Sequence, residues 1–221
     1  KCTETPVIVL HGLFGQKSLW RSIFQLDEAK QGLFNDGKRC AFVLDARNHG
    51  ESFRDPVMTY EALAHDLDVF IRSKRLKKVI LLAHSMGGKQ VMQLCLSRVN
   101  PHLAVGPAHC AISNSLVNDA STDYEIEKAI VLDIAPVSYL NDERWTIPNL
   151  IRAMNELPMD FTATYRTRNH VDQFMSKYVS DKRIRLFLAS NLVRRPDNTG
   201  WQWSHNHAVL RTSVDMIGGF P

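Results

Sequence analysis

The sequence predicts an α/β fold, a mostly parallel sheet with flanking helices and a helical cap, and three observations carry that expectation. Short apolar runs rich in β-branched residues, such as Pro6–Leu10 (P-V-I-V-L) and Val79–Ala83 (V-I-L-L-A), mark strands buried on both faces of a parallel sheet. Each such run leads into a polar or glycine-bearing loop and, beyond it, a stretch with helical spacing. After Pro136 the character changes, and helical segments separated by polar stretches replace the strands.

In chain order, the first strand is Pro6–Leu10 and runs into the loop His11–Gly15 (H-G-L-F-G). Ser18–Leu26 carries Leu19, Trp20, Ile23, Phe24 and Leu26 at helical spacing. A turn at Asn35-Asp36-Gly37 precedes a second strand, Cys40–Asp45, and the polar loop Asp45–Ser52 (D-A-R-N-H-G-E-S). Thr59 is placed to cap a helix with Leu63, Leu67, Phe70 and Ile71 on one face. The third strand, Val79–Ala83, is followed by His84-Ser85-Met86-Gly87-Gly88 and a helix that Asn100-Pro101 ends. Residues 101–125 read as an insertion, and Ala129–Asp133 as the fourth strand. Asn149–Leu157, His170–Val179 and Asp181–Leu192 are expected to be helices, and Gly200–His205 a short extended piece. The division this implies is a core over residues 1–136, a helical cap over 137–210, and the start of a return to the core at 211–221.

Bulk properties exclude several function classes. The 221 residues suffice for one α/β domain, and the net charge of +4 comes from scattered basic residues. No basic stripe with interleaved aromatics is present, so nucleic acid is not an expected partner. No apolar run is long enough to span a membrane. The four cysteines (Cys2, Cys40, Cys95, Cys110) show no metal spacing; Cys40 and Cys95 are expected as buried thiols, which favours a reducing compartment. The chain opens on Lys1 rather than Met and reaches its first strand by Pro6, so a true start further upstream is expected.

The chemistry is expected in the loops that follow the strands, because ligands of open parallel sheets bind beyond the strands' carboxyl ends. Lys78–Lys89 (K-V-I-L-L-A-H-S-M-G-G-K) has the strand–sharp turn–helix layout of a nucleophile elbow centred on Ser85. Small residues are needed at Ala83 and Gly87 because strand and helix close tightly around the turn. A phosphate-binding loop is excluded: only Gly88-Lys89 matches, and the first glycine and the magnesium-holding hydroxyl are missing. H-G-L-F-G likewise lacks the dinucleotide pattern. Lys89 reads as a helix-surface or second-layer residue. The Leu13 and Met86 N–H groups are candidates for an oxyanion hole, and Asp133, ending the strand after the elbow, for the acid partner. Asp45 with Arg47 braces its own loop. His11 and His84 shape the pocket, and His170, His205 and His207 fall in the cap, so the general base is expected outside this chain.

H-G-L-F-G, D-A-R-N-H-G-E-S, H-S-M-G-G-K, D-I-A-P-V and the later N-L-V-R followed by W-Q-W resemble the α/β-hydrolase family, and within it the abhydrolase domain-containing protein 11 type and its fungal ethanol acetyltransferase-like relatives. The resemblance implies an α/β-hydrolase fold truncated at both ends, a Ser85 nucleophile, oxyanion donors at Leu13 and Met86, and an acid at Asp133. It implies cleavage of a small acyl ester or thioester with no cofactor or metal, and a mitochondrial location. Ala83 replaces the family's usual glycine. Two alternatives accompany this reading: acyl transfer to an alcohol by the same acyl-enzyme, and an inactive fragment lacking the base. The cap side chains Trp145, Met154, Phe161, Phe174 and Trp203 are candidates to line the acyl pocket.

Overall fold

The strands at Val7–Leu10 and Lys78–His84 are buried on both sides because their apolar side chains alternate between two helix-covered clusters. A computed structural model of the chain describes residues 3–100, 102, 120–143, 145–161 and 166–220. Strands β1 (Val7–Leu10), β2 (Ala41–Leu44), β3 (Lys78–His84) and β4 (Glu125–Leu132) form a sheet in the order β2-β1-β3-β4. Val7 stands beside Ala41 and Ile80, Leu10 beside Leu44 and Ala83, and His84 beside Leu132. Ile8, Leu10, Leu81 and Ala83 pack on one face with Leu67, Ile71, Val91 and Leu94. Val7, Val9, Ile80 and Leu82 pack on the other with Trp20, Phe24 and Phe34. The period-two division of one apolar run between two clusters is the geometry of a pleated strand covered on both sides.

Helix α1 is a single turn, Arg21–Phe24, entered through a 3₁₀ turn at Lys17–Trp20. Helix α2 spans Tyr60–Ser73, and the Thr59 hydroxyl accepts the Ala62 N–H at 3.2 Å as its cap. Helix α3, Met86–Val99, packs beside α2 on the sheet. Beyond the sheet come α4 (Ile147–Glu156), α5 (Arg168–Met175) and α6 (Lys182–Ser190), then an antiparallel hairpin of β5 (Leu192–Arg194) with β6 (Trp201–Trp203). Short helices α7 (His207–Thr212) and α8 (Val214–Gly218) follow. The Tyr60 hydroxyl of α2 donates to the Ile217 carbonyl at 2.7 Å, so this last segment lies against the sheet-side helices.

Several expectations need correction. Cys40 is disulfide-bonded, whereas Cys95 carries a free thiol. Cys40 stands half-buried just before β2, and its sulfur, bonded to a second sulfur, is not a thiol. The support the cysteines lent to a reducing compartment goes with it. Strand β4 begins at Glu125, four residues before the expected start. Its E-I-E-K opening reads as loop, but these residues pair in register with Lys78–Ile80 of β3, and Glu125 meets Lys78 across the strands at 2.9 Å. Most of the insertion expected over residues 101–125 lies outside the described residues. Lys89 is fully buried rather than on the helix surface. No helix of the described residues is long and apolar enough to cross a membrane.

Candidate active site

Because the four strands run one way, their four following loops converge on one edge of the sheet. At the centre is Ser85, with φ 53° and ψ −120°, a conformation L-residues avoid. Its N–H donates to the Leu132 carbonyl of β4 at 3.0 Å, and its carbonyl accepts the Gly88 and Lys89 N–H groups at 2.8 and 3.2 Å. Its side chain makes no capping bond to α3. That removes the simplest alternative role for a serine at a helix start. Two glycines permit the close approach around it. A Cβ on Gly87 would lie 2.7 Å from the His11 carbonyl oxygen, and one on Gly12 would lie 3.0 Å from the Ser85 Cβ. Ala83 is fully buried between β1 and β4, so a methyl group is accommodated at this position.

Leu13 and Met86 approach the same region from the β1 loop and the first turn of α3. Both side chains enter the hydrophobic cluster built by the cap, with Leu150, Met154, Val171 and Leu188. Trp145, Phe161, Phe174 and Trp203 pack against that cluster. The first N–H groups of a helix have no intrahelical acceptor, so the Met86 N–H is free to meet a developing negative charge. Among the described residues, no acceptor engages the Leu13 N–H either.

Two histidines fix the loop that carries Leu13. The His11 Nε2 accepts the Ala46 N–H at 3.0 Å while its Nδ1 donates to the Gly12 carbonyl at 2.7 Å. The His49 Nε2 accepts the Phe14 N–H at 3.2 Å while its Nδ1 donates to the Arg47 carbonyl at 2.9 Å. Each ring therefore binds as the neutral tautomer protonated on Nδ1. Asp45 accepts the Lys17 and Glu51 N–H groups at 2.6 and 3.0 Å, and the Arg47 guanidinium grips Asp66 of α2 at 2.6 and 2.7 Å. These bonds brace the D-A-R-N-H-G-E-S loop from within and from behind.

Asp133 follows β4 directly and has φ 55°. Its carboxylate is well exposed and lies 3.6 Å from the His84 Nε2. Sequence reasoning put both residues near the pocket but missed their contact. It follows from the register, in which His84 stands beside Leu132 on the neighbouring strand. His205 and His207 follow β6, in the segment expected as cap, and pack beside the β1 and β2 loops. The His205 ring is 5.4 Å from Phe14, 6.3 Å from His49 and 5.6 Å from His207.

Burial holds these rings uncharged. His49 is driven well below the usual histidine value by desolvation and then by His11, and His11 is lowered by its own burial. Burial pushes His205 down to about 3 and His207 to about 4, aided by His207 and Arg211 respectively. The unfolded chain takes up protons near pH 6.5 and the folded chain does not, so the unfolded state binds more protons below that pH. The stabilisation from neutral rings is complete above pH 6.5 and is lost as pH falls towards 4. Urea midpoints measured at pH 7.5 and pH 5 are expected to drop at the lower pH by the equivalent of about 2 kcal/mol for each ring kept fully neutral. An unchanged midpoint would contradict the buried neutral assignment.

A parallel sheet whose loops gather a strained serine, two free N–H groups and a carboxylate at one edge is the framework of the α/β hydrolases. The model of the α/β-hydrolase fold matches residues 5–129, more than half of the chain, and the chain belongs to that family. It is similar to the "sn-1-specific diacylglycerol lipase ABHD11" of Danio rerio, at 32% identity over 100% of this chain and 59% of that protein. It is also similar to the "Probable alcohol acetyltransferase" of Saccharomyces cerevisiae, at 31% identity over 88% of this chain and 49% of that protein. Among solved structures it resembles a marine microorganism esterase, with TM-score 0.74 and 27% identity, covering 100% of this chain and 72% of that one. The chain thus spans 59% and 49% of the length of these two curated relatives.

Proposed function

We propose that the protein is a serine hydrolase that cleaves small acyl esters or thioesters through an acyl-enzyme on Ser85. The observation that carries this reading is the Ser85 turn: a positive-φ serine, uncapped, at the start of a helix whose first N–H groups are free. Backbone strain of this kind persists where the surrounding packing demands it, and here it turns a hydroxyl away from the helix it could otherwise cap. The Ser85 oxygen attacks the acyl carbonyl; the Leu13 and Met86 N–H groups receive the oxyanion. Asp133 is placed to orient the imidazole that takes the serine proton; His84, whose Nε2 lies 3.6 Å from this carboxylate, borders it as part of the pocket wall. The apolar cluster of Leu13, Met86 and the cap suits an acyl chain.

A fluorophosphonate probe applied to the full-length protein is expected to label Ser85, and Ser85→Ala to abolish both labelling and ester turnover. Labelling that persists in Ser85→Ala would refute the assignment. The similarity to the yeast protein named as an alcohol acetyltransferase favours a second reading, in which an alcohol replaces water as the acceptor. Measuring ethyl ester formation against hydrolysis with ethanol present separates the two, because both begin from the same acyl-enzyme.

A further inference from the structure

Lys89 is the fourth residue of α3 and is fully buried, yet no carboxylate among the described residues pairs with it. Its ammonium donates to the carbonyls of Gly218 and Gly219 at 3.1 and 2.7 Å. Three rings surround it: Tyr139 at 4.8 Å, Tyr60 at 5.6 Å and Phe220 at 5.6 Å from their centroids. Burying an unpaired ammonium is costly, and desolvation pulls this one down to about 8. An apolar side chain would fill the space without that cost. What the lysine supplies and a leucine cannot is attraction to ring faces and carbonyls arriving from separate parts of the chain.

Those parts connect to the reacting groups. The Lys89 N–H is bonded to the Ser85 carbonyl. Tyr139, held against the ammonium by its ring, donates its own N–H to the Gly218 carbonyl at 2.9 Å. Its hydroxyl accepts the Ala135 N–H at 3.0 Å, two residues after Asp133. The geometry points to Lys89 as a positioning residue: through Tyr139 it holds the Asp133–Pro136 turn against the elbow helix and so fixes the acid relative to Ser85. This rests on the reading of Ser85 as nucleophile and Asp133 as acid.

The test uses the full-length protein, with active sites counted by fluorophosphonate labelling so that misfolded molecules drop out of the rate. Lys89→Met is expected to lower kcat per labelled site by about tenfold or more, because sub-ångström displacement of a catalytic group costs rate, with KM within about twofold of the wild type. Lys89→Arg, which keeps charge and donors, is expected to recover most of the loss. Tyr139→Phe keeps the ring but loses the bond to Ala135, and a fall of about threefold is expected. A wild-type kcat per site in Lys89→Met makes the lysine a structural brace only and overturns the proposal. If Lys89→Met does not fold, Tyr139→Phe decides on the same criterion. A wild-type protein unlabelled at Ser85 overturns the functional reading itself, whereas labelled wild type with unchanged variants overturns only the role of Lys89.

Discussion

Ser85→Gly is expected to lose at least ~10³-fold in ester turnover and nevertheless to unfold at a higher temperature than the wild type. The loss follows from removing the oxygen proposed to attack the acyl carbonyl, since the proposed N–H donors alone would supply only a residual rate. The gain follows from the backbone. Ser85 sits at φ 53° and ψ −120°, where a side chain is strained by about 1–3 kcal/mol and glycine is not. Glycine raises the entropy of the unfolded chain by roughly 0.5–1 kcal/mol, so a net stabilisation of about 1 kcal/mol remains. Calorimetry on the two proteins measures it directly. A glycine variant less stable than the wild type would show that the Ser85 turn is not strained by its side chain.

Arg47→Met is expected to destabilise the fold by about 3–5 kcal/mol without touching the serine. The guanidinium is buried, grips Asp66 through two bonds, donates to the Val57 carbonyl at 2.9 Å and lies 3.5 Å from Asp55. Both carboxylates are largely covered, so removing the cation leaves buried negative charge without compensation. For a domain of this size the melting temperature should fall by roughly 10 °C. Arg47→Met combined with Asp66→Leu should recover part of the loss, because the stranded charge is then gone. A single variant within about 1 kcal/mol of the wild type would mean that the pair contributes no more than an exposed ion pair. Turnover should fall as well, since the Arg47 carbonyl orients His49 and His49 holds the Phe14 N–H beside Leu13.

Much of this architecture is legible in the residues. Val7–Leu10 must be a strand covered on both sides, because four consecutive apolar residues project alternately to two faces. Thr59 caps α2, and Gly12 and Gly87 mark where the β1 loop closes on the elbow. These readings succeed because they depend on local chemistry: pleat period, capping oxygen, absence of a Cβ. Ser85 belongs with them, since a serine between small residues at a strand–helix junction announces a tight turn.

The charged opening of β4 is not legible, because Glu125–Lys128 become strand by pairing with Lys78–Ile80, residues distant in sequence. The three-residue pairing of β5 with β6 is too short for any pattern and is made by the partner strand. Cys40 gives no sign of its disulfide, which depends on what approaches it in space. Local residues therefore determined the elbow, its glycines and the class of chemistry they frame. Tertiary structure alone decided that His84 meets Asp133, that four histidines are held neutral at the edge of the core, and that Lys89 is buried in a cage of rings. Each of those depends on segments distant in sequence arriving at one place, and burial is what then changes the chemistry of the groups that meet there.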